Sequence, residues 1–203
     1  MEFRDVLRRR RMVRSYLPDP IDPEIVDRVV EAGWRAPSGG FSQGHAFVVV
    51  TDPETRRQIA DAMEEQEWIA QGRVPWLSVA PVHIIPCARE ALYHERYNKP
   101  DKLEQTGGVE VRWPVPYWFV DIGASFMGIL LAAVDEGLAA GIAGHPDQEE
   151  RLRPILGLPE SAVPIGVVTL GKEAPDPKRT HVSAFTERRR PKTDVVHHDR
   201  WGG

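Results

Sequence analysis

Between Tyr117 and Glu136 the chain is apolar on nearly every face of a helix, apart from Asp121, Ser125 and the closing acids Asp135 and Glu136. A helix with no wet side has to be enclosed by other elements or shared with a second copy, so this stretch predicts a central helix buried all round, shared across a dimer. Its uncharged core, Ile122 to Val134, is 13 residues long, too short to span a bilayer. Ala124, Gly128 and Ala132 recur at four-residue spacing and form a small-residue stripe that lets another helix approach closely.

The rest of the chain must therefore supply layers. Asp22-Pro23-Glu24 is a capping acid, a first-turn proline and an early acid, opening a helix with Val26, Val29 and Val30 on one face and ending before Pro37. Asp52-Pro53-Glu54 repeats the signal for a helix through Ile59 and Met63, extending toward Ile69. Pro146-Asp147 starts another, through Leu152 and Leu156. Strand candidates are Ala46 to Val50, Val79 to Cys87, the stretch from Gly137 to Gly144, and Pro164 to Gly171. Four strands alternating with helices define an α/β or α+β class. The 203 residues make one domain. Within it, residues 88–116 are charged, weakly periodic and interleaved with Tyr93, Tyr97 and Trp113, which predicts a lid over a pocket. Residues 178–203 form a polar C-terminal extension.

Charge is uneven. The net charge is −4, which argues against a general nucleic-acid binder, yet six arginines stand in the first fourteen residues. A second basic cluster begins at Lys178 and Arg179. On one continuous helix, Phe3, Leu7, Arg10 and Arg14 would share a face, with Phe3, Val6 and Leu7 packed on the core and Arg8 and Arg9 in water. An inward guanidinium needs a fixed anion, a phosphate or carboxylate. The other meaning of such a run is a solvated basic helix or a nucleic-acid tail.

Several chemistries are absent. There is no GxGxxG after a strand, no GxxxxGK[ST] and no zinc-ligand spacing, so no metal site is expected. Cys87, the only cysteine, precludes an intrachain disulfide and suits a reducing cytoplasm; no apolar leader or membrane segment is expected. Cys87 closes an apolar strand and reads as a packing residue, and His83 beside it as a core histidine. A chain with so little reactive chemistry of its own is one that borrows a cofactor.

Taken together, Arg10-Arg11-Met12-Val13-Arg14, the Ala36-Pro37-Ser38 loop with Ser42-Gln43, Gly137-Leu138 through Gly144, and the basic segment to Lys178-Arg179 resemble the FMN-dependent nitroreductase family, in its order and spacing. The resemblance implies an α+β, three-layer α/β/α fold with a central, mostly antiparallel sheet, assembled as a homodimer with FMN at the interface. It implies that Arg10, with the backbone around Arg11 and Met12, holds the FMN phosphate, and that Arg14 lies near the pyrimidine edge of the ring. Pro37, Ser38 and Gly39 would cover the flavin from the other subunit, Gln43 would add a hydrogen bond, Ile142, Ala143 and Gly144 would run beside the ring, and Lys178 and Arg179 would complete the anion site. Phe41, Tyr93, Tyr97 and Trp113 are the candidate substrate contacts.

The implied activity takes hydride from NAD(P)H and passes it to a nitroaromatic, quinone or similar flat acceptor by a ping-pong mechanism, with no catalytic side chain beyond the flavin. Alternatives are flavin fragmentation to dimethylbenzimidazole, reductive dehalogenation, or non-catalytic flavin binding. The chain departs from the family pattern in three places: Gly44-His45 where Pro-Trp is usual, Phe41 where many members have Asn, and Met12 in place of Ser or Asp.

Overall fold

The computed structural model describes residues 1–175 and 189–202. Its helices are α1 (Phe3–Arg9), α2 (Pro23–Trp34), α3 (Pro53–Ala62), α4 (Glu65–Ala70), α5 (Ala91–Tyr97), α6 (Pro100–Leu103), α7 (Tyr117–Asp135) and α8 (Gln148–Leu156). Its strands are β1 (His45–Val50), β2 (Val82–Ala88), β3 (Ala139–Ala143), β4 (Val163–Pro164) and β5 (Val167–Gly171). The strands form one sheet in the order β1-β2-β5-β3, with β4 paired to β2. Every pairing between these strands is antiparallel.

Side chains alternate across the sheet and build two cores. Ile85, Cys87 and Val167 face α3 and α8, packing with Ile59, Ala60 and Leu152. Val82, Ile84, Val168 and Leu170 face α2 and α7, packing with Val26, Val29, Ile129 and Leu130. The expected α/β/α layering and antiparallel sheet are both present.

The capping signals act where they stand. Asp22 accepts from the Glu24 amide at 2.9 Å, and Asp52 accepts from the Thr55 amide at 2.8 Å. The long helix from Pro53 does not reach Ile69 unbroken: Glu64 turns left-handed at φ 58° and splits it into α3 and α4. Likewise Pro164 to Gly171 is two strands, separated at Ile165-Gly166.

The central helix corrects one expectation. Ile122, Ser125, Ile129, Leu130 and Ala133 of α7 are buried, but Tyr117, Phe119, Val120 and Met127 are exposed, Val120 by 52%. Within one chain α7 is thus dry on one side only. The small-residue stripe packs inside the chain, against α2: a Cβ on Gly128 would lie 2.6 Å from the Ala32 carbonyl oxygen, and one on Gly33 would lie 2.8 Å from Ile129. Among the described residues α7 is the one helix long and apolar enough, by length and composition, to cross a membrane. Its inner face is half of a packed protein core.

His83 is a core residue, as expected. It is fully buried, its Nε2 lies 2.8 Å from the Leu77 carbonyl, and burial pushes its pKa down to about 4. Burial likewise pushes the Cys87 thiol up to about 11, which keeps it protonated and inert. Among the described residues no group of three or more His, Cys, Asp or Glu side chains is placed to hold a metal.

Candidate functional site

The arginine run does not continue as a helix. α1 ends at Arg9, and Arg10 turns extended at φ −59°, ψ 124°. Only Val6 of α1 is buried; Phe3 and Leu7 are exposed. What overrides helix propensity is the open edge of β3. The Val13 amide donates to the Ala140 carbonyl at 3.0 Å, and Met12 bridges Ala140 in parallel. Tyr16 then anchors the strap, donating its hydroxyl to the Val13 carbonyl at 2.8 Å and lying 2.8 Å from Thr169 Oγ1. Gly141 makes this approach possible, because a Cβ there would collide with the Val13 carbonyl oxygen.

The strap distributes the arginines differently from a helix. Arg8 pairs with Asp5 in water, and Arg11 pairs with Glu173. Arg10 is half-buried and makes no ion pair among the described residues. Arg14 reaches over the Trp76 ring, 5.4 Å from its centroid. A cavity of about 370 Å³ opens there, and its lining includes Arg14, Trp68, Trp76, Ile142, Ala143 and Gly144. Four residues selected from separate stretches of sequence, Arg14 and Ile142 to Gly144, are therefore brought together in one hollow.

Sequence reasoning missed the two tryptophans and the acid that places one of them. Glu65 is fully buried, and its carboxylate accepts from the amides of Trp76 and Leu77, both at 2.6 Å, and of Ser78 at 3.1 Å. Three amide donors on one carboxylate fix the 76–78 turn, and with it the aromatic wall. The signal in the sequence was an acid at the start of an apolar helix close to a Pro-Trp-Leu turn, but nothing local links the two. At the rim, His145 Nε2 lies 3.2 Å from Glu64, and its Nδ1 accepts from the Asp147 amide at 3.1 Å. Arg151 pairs with Glu64 at 2.5 Å; this hydrogen bond, with that from His145, holds the Glu64 carboxyl below its usual range.

A second cluster contains the other candidates. Gly39 to Phe41 form a single 3₁₀ turn, with Gly40, Phe41 and Gln43 at positive φ. Ser38 Oγ accepts from the Gln43 amide at 2.9 Å, and the Gly39 amide donates to Asp121 Oδ2 at 2.8 Å. Phe41 is 77% exposed. Tyr93, by contrast, is fully buried: its hydroxyl donates to Asp121 Oδ2 at 2.6 Å, and burial together with that bond raises its pKa. Trp113 packs edge-on to Tyr97 and Tyr93, with centroids 4.6 and 5.9 Å apart. His45 lies beside Phe47, with ring centroids 5.6 Å apart, and does not line the cavity. None of Pro37, Ser38, Gly39, Phe41, Gln43, Tyr93, Tyr97 or Trp113 lines it either. Lys178 and Arg179 lie outside the described residues.

The chain belongs to the nitroreductase family, whose model matches residues 7–172. Members of that family are FMN-dependent oxidoreductases, and the fold described above is the family's. Among its relatives, iodotyrosine deiodinase 1 of Rattus norvegicus is 28% identical over 204 residues, covering 88% of this chain and 66% of the relative. An NADH dehydrogenase of Thermus thermophilus is 28% identical over 184 residues, covering 85% and 87%. The solved NADPH:FMN oxidoreductase of Vibrio harveyi, complexed with NAD+, shares the fold at a TM-score of 0.72 and 22% identity, covering 99% of this chain and 78% of that one.

Proposed function

We propose that the chain is a cytoplasmic, homodimeric FMN oxidoreductase that takes hydride from NAD(P)H and delivers it to a flat acceptor such as a nitroaromatic or a quinone, by turns in one slot. The observation that carries this reading is the cavity of about 370 Å³ that joins Arg14 to Ile142, Ala143 and Gly144. Its residues suit a flavin: an aromatic wall at Trp76, a cation at its edge, and an open backbone at Gly144, where an added Cβ would meet nothing closer than Gln148 Oε1 at 3.7 Å. FMN, when bound, supplies the hydride chemistry at its N5.

The chain's own residues bind and orient. Arg14 would favour negative charge at the edge of a flavin ring held beside it. Arg10, free of ion pairs among the described residues, and the backbone at Arg11 and Met12 would hold the phosphate, joined by Lys178 and Arg179. Pro37, Ser38, Gly39 and Gln43 of a second copy would close the site, with Phe41, Tyr97 and Trp113 toward the acceptor. The exposed apolar face of α7, with Phe3 and Leu7 of the neighbouring α1, supports a second copy as the missing layer. The 88–116 segment would then flank the mouth of the site.

Purified protein should be yellow, should bleach with NADH or NADPH under anaerobiosis, and should recover on adding a quinone. Arg14→Ala should weaken FMN binding about tenfold or more, as loss of a charged contact implies. A colourless protein that neither binds added FMN nor oxidises a nicotinamide would end this reading. Reductive dehalogenation is the second reading, favoured by the identity to a deiodinase. Iodide release from iodotyrosine by the reduced protein would favour it over quinone reduction.

A further inference from the structure

The loop from Ser38 to Gly44 is tied down more firmly than a helix–strand connector requires. Asp121 Oδ2 receives both the Gly39 amide at 2.8 Å and the Tyr93 hydroxyl at 2.6 Å. Arg96 Nε donates to the Gly40 carbonyl at 2.9 Å, while its other nitrogens grip Asp101 at 3.0 and 2.7 Å. Inside the loop, Ser42 Oγ donates to the Gly39 carbonyl at 2.6 Å. Tyr93 can sit so close only because position 44 is glycine; a Cβ there would collide with its ring. These ties hold Phe41 and Gln43 at φ 58° and 52°, a left-handed backbone that a side-chain-bearing residue keeps only under restraint. The restrained loop presents an aromatic that covers nothing in its own chain.

We propose that Asp121, Tyr93 and Arg96 are positioning residues: they freeze the 38–43 loop so that Phe41 covers the cofactor cavity of a second copy. None of the three lines the cavity of its own chain; Asp121 and Arg96 bond the loop's backbone directly, and Tyr93 bonds Asp121. A loop already ordered loses little entropy when it closes on a ligand, and that saving appears as tighter binding. Residues 89–97 are then a buttress behind the loop. Asp121, the acid that interrupts an otherwise apolar helix, is there because the loop's amide needs an acceptor. The inference rests on the dimeric FMN reading above.

The test titrates the apoprotein with FMN by flavin fluorescence, reads amide hydrogen exchange over residues 36–44, and checks oligomer mass by light scattering. Asp121→Leu should speed exchange in the loop and raise the FMN dissociation constant roughly tenfold at unchanged mass. Tyr93→Phe, which keeps the ring, should shift both in the same direction by less. Asp121→Asn should restore most of the loss, since its amide oxygen still accepts from Gly39. Phe41→Ala should weaken FMN binding and leave loop exchange unaltered. If wild-type protein binds FMN and both Asp121→Leu and Tyr93→Phe bind it as tightly, the inference falls alone. If wild-type protein does not bind FMN, the flavin reading falls and takes the inference with it.

Discussion

The cavity and the 38–44 loop are the two parts of the proposed site, and they are assembled by different means. The cavity is framed chiefly through backbone groups: the strap at Val13 hooks the free edge of β3, and three successive amides under Trp76 converge on a single carboxylate, that of Glu65. The loop is framed by side chains, through Asp121, Tyr93 and Arg96. A backbone frame tolerates many side chains but no intruding Cβ. A side-chain frame fails by losing one hydroxyl or carboxyl. The two regions also answer pH in opposite directions, because each has its own buried or paired histidine.

The sharpest way to separate them is Gly141→Ala. Its Cβ would strike the Val13 carbonyl, so the strap must lift from β3; we expect a loss of about 3 kcal/mol in urea unfolding and loss of FMN binding, with loop exchange unchanged. Simultaneous loosening of the loop would show that the two regions are one cooperative unit. Gly44→Ala is the counterpart, driving a methyl into Tyr93. It should cost about 2 kcal/mol and loosen residues 38–43 while the strap's amides stay protected.

The pH response is the smallest expected effect. His83, hydrogen-bonded to the Leu77 carbonyl behind Trp76, is held down to about 4 by burial. The unfolded chain therefore binds its proton first, near 6.5, so stability is full above that value and falls as the pH drops toward 4. Between about pH 7 and pH 5 that amounts to roughly 2 kcal/mol, which His83→Gln should abolish. His94, beside the loop's buttress, behaves conversely. Its hydrogen bond to Glu110 at 2.5 Å, then that to Glu90, raises its pKa. Its contribution is complete below 6.5 and is lost as the pH rises through the raised value. Hydrogen exchange at pH 5 should accordingly show the cavity region loosened and the 90–113 region not; loosening of both in step would refute the contrast.

Much of the fold was legible because its signals are local. The acids at Asp22 and Asp52 cap the helices they precede, and the apolar runs around Val48, Ile84 and Val168 are strands. The meeting of Arg14 with Ile142 to Gly144 was also anticipated, though by resemblance to a family and not by periodicity. The end of α1 at Arg9 was not. Helix spacing put Arg10 and Arg14 on one face, and the unpaired edge of a strand 128 residues from Met12 in sequence, at Ala140, drew the chain out straight. Tyr93 reads as a pocket aromatic until its hydroxyl is seen to serve Asp121. Trp76 could not be singled out, because the carboxylate that places it sits on another helix.

Composition and pattern by themselves determined the helix caps, the strands and the absence of an intrachain disulfide, since caps and strands follow from bonds and preferences within a few residues and one cysteine cannot pair with itself. Only the tertiary structure decided which arginine faces the cavity, which face of α7 stays uncovered, and which acid restrains the loop. Those outcomes depend on backbone edges and buried carboxylates finding partners far along the chain, and a buried polar group takes whichever partner packing brings within reach.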